Sequence, residues 1–216
     1  MKEYPKIETL FVRDEKTKKV DPFKIRLPEF EAVSKWEITE KIDGTNIRIC
    51  LTETGEVKIS GKTDNSQLRG DLFDFLNKQF FPEKLKSIFW KENETPFEVM
   101  IFGEGYGGKI QKGGNYRQDV SIRIFDILIG KWWLKKEDIE NISNKLQIQT
   151  VPNLGTIEYL PRTRKELEDI IPHSKVSQQD SEYTNITAEG IIAKEPHGLL
   201  LRNGNRLMWK LKFKDF

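Results

Sequence analysis

The sequence predicts an α+β fold of antiparallel β-sheets flanked by helices. Most of its apolar alternation has the two-residue period of a half-buried strand. The segments with helical periodicity are inserted between runs of strands; they do not alternate with single strands, as a parallel βαβ fold would require. The 216 residues suffice for one large domain with a sizeable core. No repeat, low-complexity tract or Pro/Gly/Ser linker divides them, so a single domain over 1–216 is expected.

The elements follow in order. Residues 45–51 (TNIRICL) put Ile47, Ile49 and Leu51 on one face, and after a turn at Thr54 and Gly55 residues 57–60 (VKIS) return as the second strand of a hairpin. Over 68–80, Leu68, Leu72, Phe75, Leu76 and Phe80 recur at three- and four-residue spacing, which predicts a helix; another follows Pro82 over 83–91. Residues 97–102 (FEVMIF) and 121–129 (SIRIFDILI) read as strands. Six glycines within 103–114 read as a flexible loop between them. Helices are predicted over 135–147 and 163–171, and strands over 189–194 (EGIIAK) and 206–213 (RLMWKLKF).

Composition narrows the function classes. Lys+Arg 36 against Asp+Glu 34 gives a net charge of +2, which excludes a whole-surface polyelectrolyte binder and leaves room for a local basic groove. Cys50 is the single cysteine, so no intramolecular disulfide forms, and one Cys with two His cannot build a protein-only zinc site. No run of 18 apolar residues exists, and the first residues (MKEYPKIETLFVRDEK) are too charged for a signal peptide, so a soluble, cytoplasmic protein with no membrane partner is expected.

Two glycine motifs mislead. Gly103, Gly105 and Gly108 spell G-x-G-x-x-G after a strand, but no apolar helical pattern opens behind them to point its amides at a pyrophosphate. Gly55 to Thr63 imitates a phosphate-binding loop with one residue too many, inside a hairpin.

The chemistry-bearing stretch is Glu40-Lys41-Ile42-Asp43-Gly44-Thr45-Asn46, a lysine, a carboxylate, a glycine and an amide set immediately before a strong strand. At the far end, Lys210 and Lys212 are two apart on a strand and share a face, roughly 7 Å from each other. Trp209, Leu211 and Phe213 take the other face. Between His197 and Lys214 there is no acidic residue, while Arg202, Arg206, Lys210, Lys212 and Lys214 are basic, which marks a candidate phosphate surface. Glu104 follows one strand, and Glu189 opens another that Lys194 ends. Asp126 lies next to Phe125 in an apolar run, where an uncompensated carboxylate is costly and a partner is expected.

In this order, Lys41-x-Asp43-Gly44-x-Asn46, Glu104-Gly105, Phe125-Asp126, Glu189-Gly190-x-x-x-Lys194 and Lys210-x-Lys212 resemble the motif set of the covalent nucleotidyltransferases: ATP-dependent RNA ligases, DNA ligases and mRNA capping enzymes. Asn46, where DNA ligases usually carry arginine, makes the chain most similar to the RNA ligase 2-like branch of phage and trypanosome RNA-editing ligases. The resemblance covers positions 41 to 212 and implies an ATP-grasp-like nucleotidyltransferase domain.

The resemblance also implies a three-step reaction. Lys41 attacks the α-phosphorus of ATP and releases pyrophosphate, AMP passes to a 5′-phosphate end, and a 3′-hydroxyl displaces AMP to seal the strand. A lysine must be neutral to attack, so neighbouring cations such as Lys210 and Lys212 help it lose its proton and also neutralise the α-phosphate. By the same resemblance, Asp43 and Glu189 hold Mg²⁺ or Mn²⁺, Glu104 accepts from the ribose hydroxyls, Phe125 stacks on the adenine, Glu40 reads the adenine amino group, and Asn46 and Lys194 complete the ATP contacts.

Two departures from the family pattern stand out. The family's arginine beyond the first motif has Lys62 as its nearest counterpart, which cannot make a bidentate contact. The sequence ends four residues past Lys212, so a catalytic core without a C-terminal OB-fold or helical domain is expected. Sealing by such a core is expected to need a separate end-binding or end-healing partner, or to act on weakly held nucleic acid ends, RNA preferred. That affinity is expected to be salt-sensitive and carried by the basic C-terminal segment with Lys109, Lys112 and Arg117. The competing readings are a DNA ligase, another end-modifying nucleotidyltransferase, and a non-catalytic nucleic-acid-binding module.

Overall fold

The computed structural model describes residues 1–111, 116–180 and 185–216. In chain order its strands and helices are β1 (Glu8–Thr9), β2 (Phe11–Arg13), β3 (Val20–Ile25), β4 (Trp36–Lys41), β5 (Thr45–Leu51), β6 (Val57–Ser60), α1 (Gly70–Gln79), α2 (Pro82–Phe89), β7 (Val99–Gly107), β8 (Val120–Ile129), β9 (Trp132–Trp133), α3 (Lys136–Leu146), β10 (Asn153–Ile157), α4 (Arg164–Ile170), α5 (Lys175–Asp180), β11 (Gly190–Lys194) and β12 (Met208–Lys212). The α+β class is the observed one. The chain divides into two compact units: Met1–Tyr4 with Gly44–Thr150, and Pro5–Asp43 with Val151–Phe216. Among the described residues no helix is long and apolar enough to cross a membrane.

The first unit is built on an antiparallel sheet in the order β6-β5-β7-β8-β9. Alternation along β5 sends Ile47, Ile49 and Leu51 to one face, where they join Ile101, Ile122 and Ile127 and receive Leu72 and Leu76 of α1, Leu85 of α2 and Leu146 of α3. Full burial of each such side chain contributes about 1.5–3 kcal/mol. The opposite face carries Cys50, Met100, Phe102 and Leu128, packed against Met1 and Tyr4. Tyr4 sets its ring edge-on to Phe102, Phe125 and Trp133 at 5.1, 4.9 and 5.7 Å.

The glycines that suggested a flexible loop after residue 102 correct that expectation, because 103–107 continue strand β7. They serve close approach: a Cβ on Gly105 would sit 2.9 Å from Leu72, and one on Gly44 would sit 2.3 Å from the Gly105 carbonyl oxygen. Gly113 and Gly114 lie outside the described residues.

The second unit has a five-stranded sheet in the order β1-β12-β11-β4-β10 and a separate β2–β3 hairpin. All pairings in this sheet are antiparallel except the short β1–β12 pair. Trp36 and Ile38 of β4, Ile191 and Ala193 of β11 and Trp209 and Leu211 of β12 form its apolar face, covered by Leu167 and Ile171. Helix α4 starts on a full capping box in which the Thr163 hydroxyl accepts from the Glu166 amide and Glu166 reaches back.

Strand β4, with Lys41 at its end, is not among the strands that periodicity predicts, and the motif 40–46 is expected just ahead of a strand. The motif 40–46 instead straddles the end of one strand and the start of the next.

Candidate active site

Three neighbouring strands of the second unit place the lysines. Lys41 on β4 is in register with Gly190 on β11, and Gly190 with Lys212 on β12; one row further, Thr39, Ile192 and Lys210 align. Because Trp36, Ile38, Trp209 and Leu211 face the core, strict alternation turns Lys41, Lys210 and Lys212 to the other side together. Glu189, one residue before β11, lies in their midst. Its Oε2 accepts from the Lys41 amine at 2.5 Å, and its Oε1 accepts from Lys212. Only 11% of the Glu189 side chain is exposed. Gly190 permits this arrangement, since a Cβ there would lie 2.1 Å from the Leu211 carbonyl oxygen.

The electrostatics follow from two amines bonded to one carboxylate, with a third amine on the same face. Burial works to raise the Glu189 carboxyl, but the charge of Lys41 and the hydrogen bonds from Lys212 and Lys41 outweigh it, and the net shift is downward. Lys210 is pushed down to about 8, first by burial and then by the charges of Lys212, Lys41 and Arg13, with Glu8 opposing. Lys210 is therefore a cation that gives up its proton near pH 8, well below an ordinary lysine.

Lys194 closes strand β11, which begins just after Glu189, in register with Glu37 and Met208, and Asp43 is half-buried two residues past Lys41. Glu40 is a correction to the expected adenine contact. It lies on the opposite side of β4 from Lys41, 1% exposed, and its carboxylate accepts from the Ser174 hydroxyl at 2.5 Å and from the amides of Lys175 and Val176 at 2.7 and 3.0 Å. It caps the start of α5 and is not turned to the lysine face.

In the first unit, Asn46, Glu104 and Arg123 are register partners across β5, β7 and β8, on the side away from the apolar core. The Asn46 Oδ1 is buried and has no hydrogen-bond partner among the described residues. Phe125 sits at a bulge in the β7–β8 pairing, half-buried against Tyr4. Asp126 has the partner expected of it: the Tyr4 hydroxyl donates to its carboxylate. Lys62 and Lys109 are exposed, Arg117 is half-buried, and Lys112 lies outside the described residues.

Sequence reasoning missed Arg48. Its guanidinium is fully buried and donates to the carbonyls of Gly61, Met1 and Lys2, to the Ser60 hydroxyl and to Asp64. It pins the 60–64 turn that carries Lys62. The available signal was its place on β5, between Ile47 and Ile49 and so on the face the apolar residues leave. Arg13 was missed as well; it donates to buried Asp215, whose other oxygen accepts from the Lys212 amide at 3.0 Å.

Among the described residues, no three His, Cys, Asp or Glu side chains cluster to cage a metal. Glu189 and Asp43 are nevertheless hard oxygen donors of the kind Mg²⁺ and Mn²⁺ use when they keep several waters and share substrate phosphates. The residues fit an ion that arrives with a nucleotide; they do not fit a resident all-protein site.

A family model described as RNA ligase matches residues 34–212. Among solved structures, a variant of Naegleria gruberi RNA ligase with ATP and Mn superposes at a TM-score of 0.61 with 16% identity, covering 88% of this chain and 54% of that one. The Naegleria gruberi enzyme with pyrophosphate gives 0.57 at 16% identity, covering 83% and 49%. An archaeal ATP-dependent RNA ligase gives 0.58 at 16% identity, covering 98% and 48%. The chain spans about half the length of these solved proteins.

Proposed function

The chain belongs to the RNA ligase family, and from that premise we propose that it is an ATP-dependent RNA ligase acting through a lysyl-AMP intermediate on Lys41. The observation that carries this reading is the pair of bonds by which Glu189 holds the amines of Lys41 and Lys212, with Lys210 on the same face.

In the proposed first step the Lys41 ammonium leaves Glu189 and gives its proton to solvent, and the amine forms a bond to the α-phosphorus of ATP as the bond to the oxygen bridging to the β-phosphate breaks and pyrophosphate leaves. Lys210 and Lys212 meet the negative charge that grows on the α-phosphate oxygens, which is where fixed cations lower a barrier most. In the second step a 5′-phosphate oxygen takes AMP from the lysine and restores the amine. In the third, a 3′-hydroxyl attacks that 5′-phosphorus, loses its proton and expels AMP.

Glu189 and Asp43 would hold the divalent cation, which supplies charge neutralisation on the phosphates when bound. Lys194 is assigned to the same phosphates, Glu104 to the ribose hydroxyls, Phe125 to the adenine, and Asn46 and Lys62 to further nucleotide contacts. Glu40 is left out, because its carboxylate is committed to α5. The solved Naegleria gruberi ligases with ATP or AMP and Mn support this choice of nucleotide and ion. On this reading residues 1–216 act as the nucleotidyltransferase core, and ends of RNA are the substrate.

Incubation with α-labelled ATP and Mg²⁺ tests the proposal. Label should remain on the denatured wild-type protein; wild type that takes up none contradicts the reading.

A further inference from the structure

Beside the lysine face of the second unit lies a groove that the proposed nucleotide chemistry does not use. Met208, one of its walls, is on β12 and two residues from Lys210, so alternation puts it on the same side of the sheet as Lys210 and Lys212, about 13 Å along the strand from the latter. Across from it runs β1, whose Glu8 is in register with Trp209 and exerts its charge on Lys210.

The lining has three kinds of chemistry. Lys6, Arg26 and Arg206 supply cations against the single carboxylate of Glu8, which Lys6 approaches at 2.9 Å and Arg26 at 3.5 Å. Asn203 and Asn205 supply amides, with Asn203 also accepting from the Asn205 backbone at 3.0 Å. Leu27 and Leu201 supply apolar wall. A bare phosphate would need only the cations, and an acidic peptide would place its charge on side-chain carboxylates, with no repeating phosphodiester to meet the cations. A nucleotide within a strand uses all three: its phosphodiester meets the cations, its base edge meets the amides, and its ring or ribose meets the leucines.

We infer that this groove binds the polynucleotide strand at the nucleotides next to the reacting end. The inference rests on the RNA ligase reading and adds to it the surface that seats the substrate. Lys6 and Arg26 come from the segment before the nucleophile, which nothing in the motif set includes.

The test uses the full chain and a short, fluorescent, 5′-phosphorylated RNA oligonucleotide. Anisotropy is read from about 50 to 200 mM salt, with α-labelled ATP uptake measured in parallel. For the Lys6→Ala/Arg26→Ala double variant, uptake of label stays within twofold of wild type. Its RNA affinity falls roughly tenfold, and the salt slope becomes shallower by roughly one. Asn205→Ala weakens RNA binding with the salt slope unchanged. Lys58→Ala, an exposed lysine on β6, changes neither reading by more than twofold.

Equal RNA affinity in the double variant and in Lys58→Ala, with label uptake intact, overturns the groove. A rise in the KM for ATP that parallels the loss of RNA affinity also overturns it, since the groove would then serve the triphosphate. Wild type that binds RNA through these residues yet takes up no label instead overturns the ligase reading.

Discussion

The two units solve the same problem, an antiparallel sheet with one apolar face, and spend the other face differently. In the first unit the part of the second face around Arg48, Arg123 and Asp126 is closed, while Asn46, Glu104 and Phe125 beside it stay half-buried. Arg48 has no exposure and five protein acceptors, Arg123 donates to the Tyr106 hydroxyl and the Thr150 carbonyl, and Asp126 accepts from Tyr4. In the second unit the corresponding face holds Lys41, Lys210 and Lys212, half-buried, with Glu189 bonded to the first and last of them. Buried polar groups that are fully satisfied fix a shape; cations left in excess at a partly open face are available to a phosphate. The contrast teaches where stability and where reactivity should be lost on mutation.

The largest effect expected is on stability, in the first unit. Arg48→Met removes a buried guanidinium and leaves three carbonyls and the Ser60 hydroxyl without their donor, while exposed Asp64 keeps the N-terminal ammonium; a cost of about 2–4 kcal/mol is expected in denaturant unfolding. A cost below about 1 kcal/mol would erase the contrast. Next comes reactivity in the second unit. Glu189→Gln keeps the shape and removes the charge that holds Lys41 and Lys212, and label transfer from ATP should drop about a hundredfold, about 2.7 kcal/mol, with the unfolding midpoint little changed.

Glu40→Gln sharpens the comparison within a single strand. The charge-assisted bonds to the Ser174 hydroxyl and two amides are weakened, so stability should fall by about 1–3 kcal/mol. The preference for ATP over GTP should stay as in wild type. A changed base preference at unchanged stability would restore the adenine-reading role.

The smallest effect concerns pH. Lys210 is a cation whose folded value lies below its unfolded one, so its positive charge is present below about pH 8 and is lost above it, while a free lysine stays charged to about 10.5. Its burden on folding is therefore full below about pH 8 and is relieved as pH rises from there toward 10.5. The phosphate-neutralising charge moves the opposite way. The kcat/KM for label transfer should fall on an alkaline limb near pH 8, and Arg13→Gln, which removes one of the cations depressing Lys210, should move that limb upward. A limb that stays in place shows that another group sets it.

Much of this was legible in the sequence, for reasons that can be named. The strands 45–51 and 121–129 and the helix over 68–80 are regular enough for period alone to find them. The shared face of Lys210 and Lys212 follows from alternation with Trp209 and Leu211. Strand β4 was hidden by Glu40, a charged residue on its core side, whose partners Ser174, Lys175 and Val176 lie more than 130 residues away in sequence. Strand β7 past Phe102 was hidden by glycines that serve close packing against Leu72 and Gly44. Arg48 and Arg123 look solvent-facing to any periodicity count, because their acceptors, backbone carbonyls together with Ser60, Asp64 and Tyr106, are brought in by the fold.

The most direct test of the central claim compares covalent uptake of α-labelled ATP by the wild type and by Lys41→Ala, with circular dichroism confirming that both are folded. The account predicts label on the denatured wild-type protein, released by added pyrophosphate, and none on the variant. Label that persists at equal yield in Lys41→Ala would contradict it.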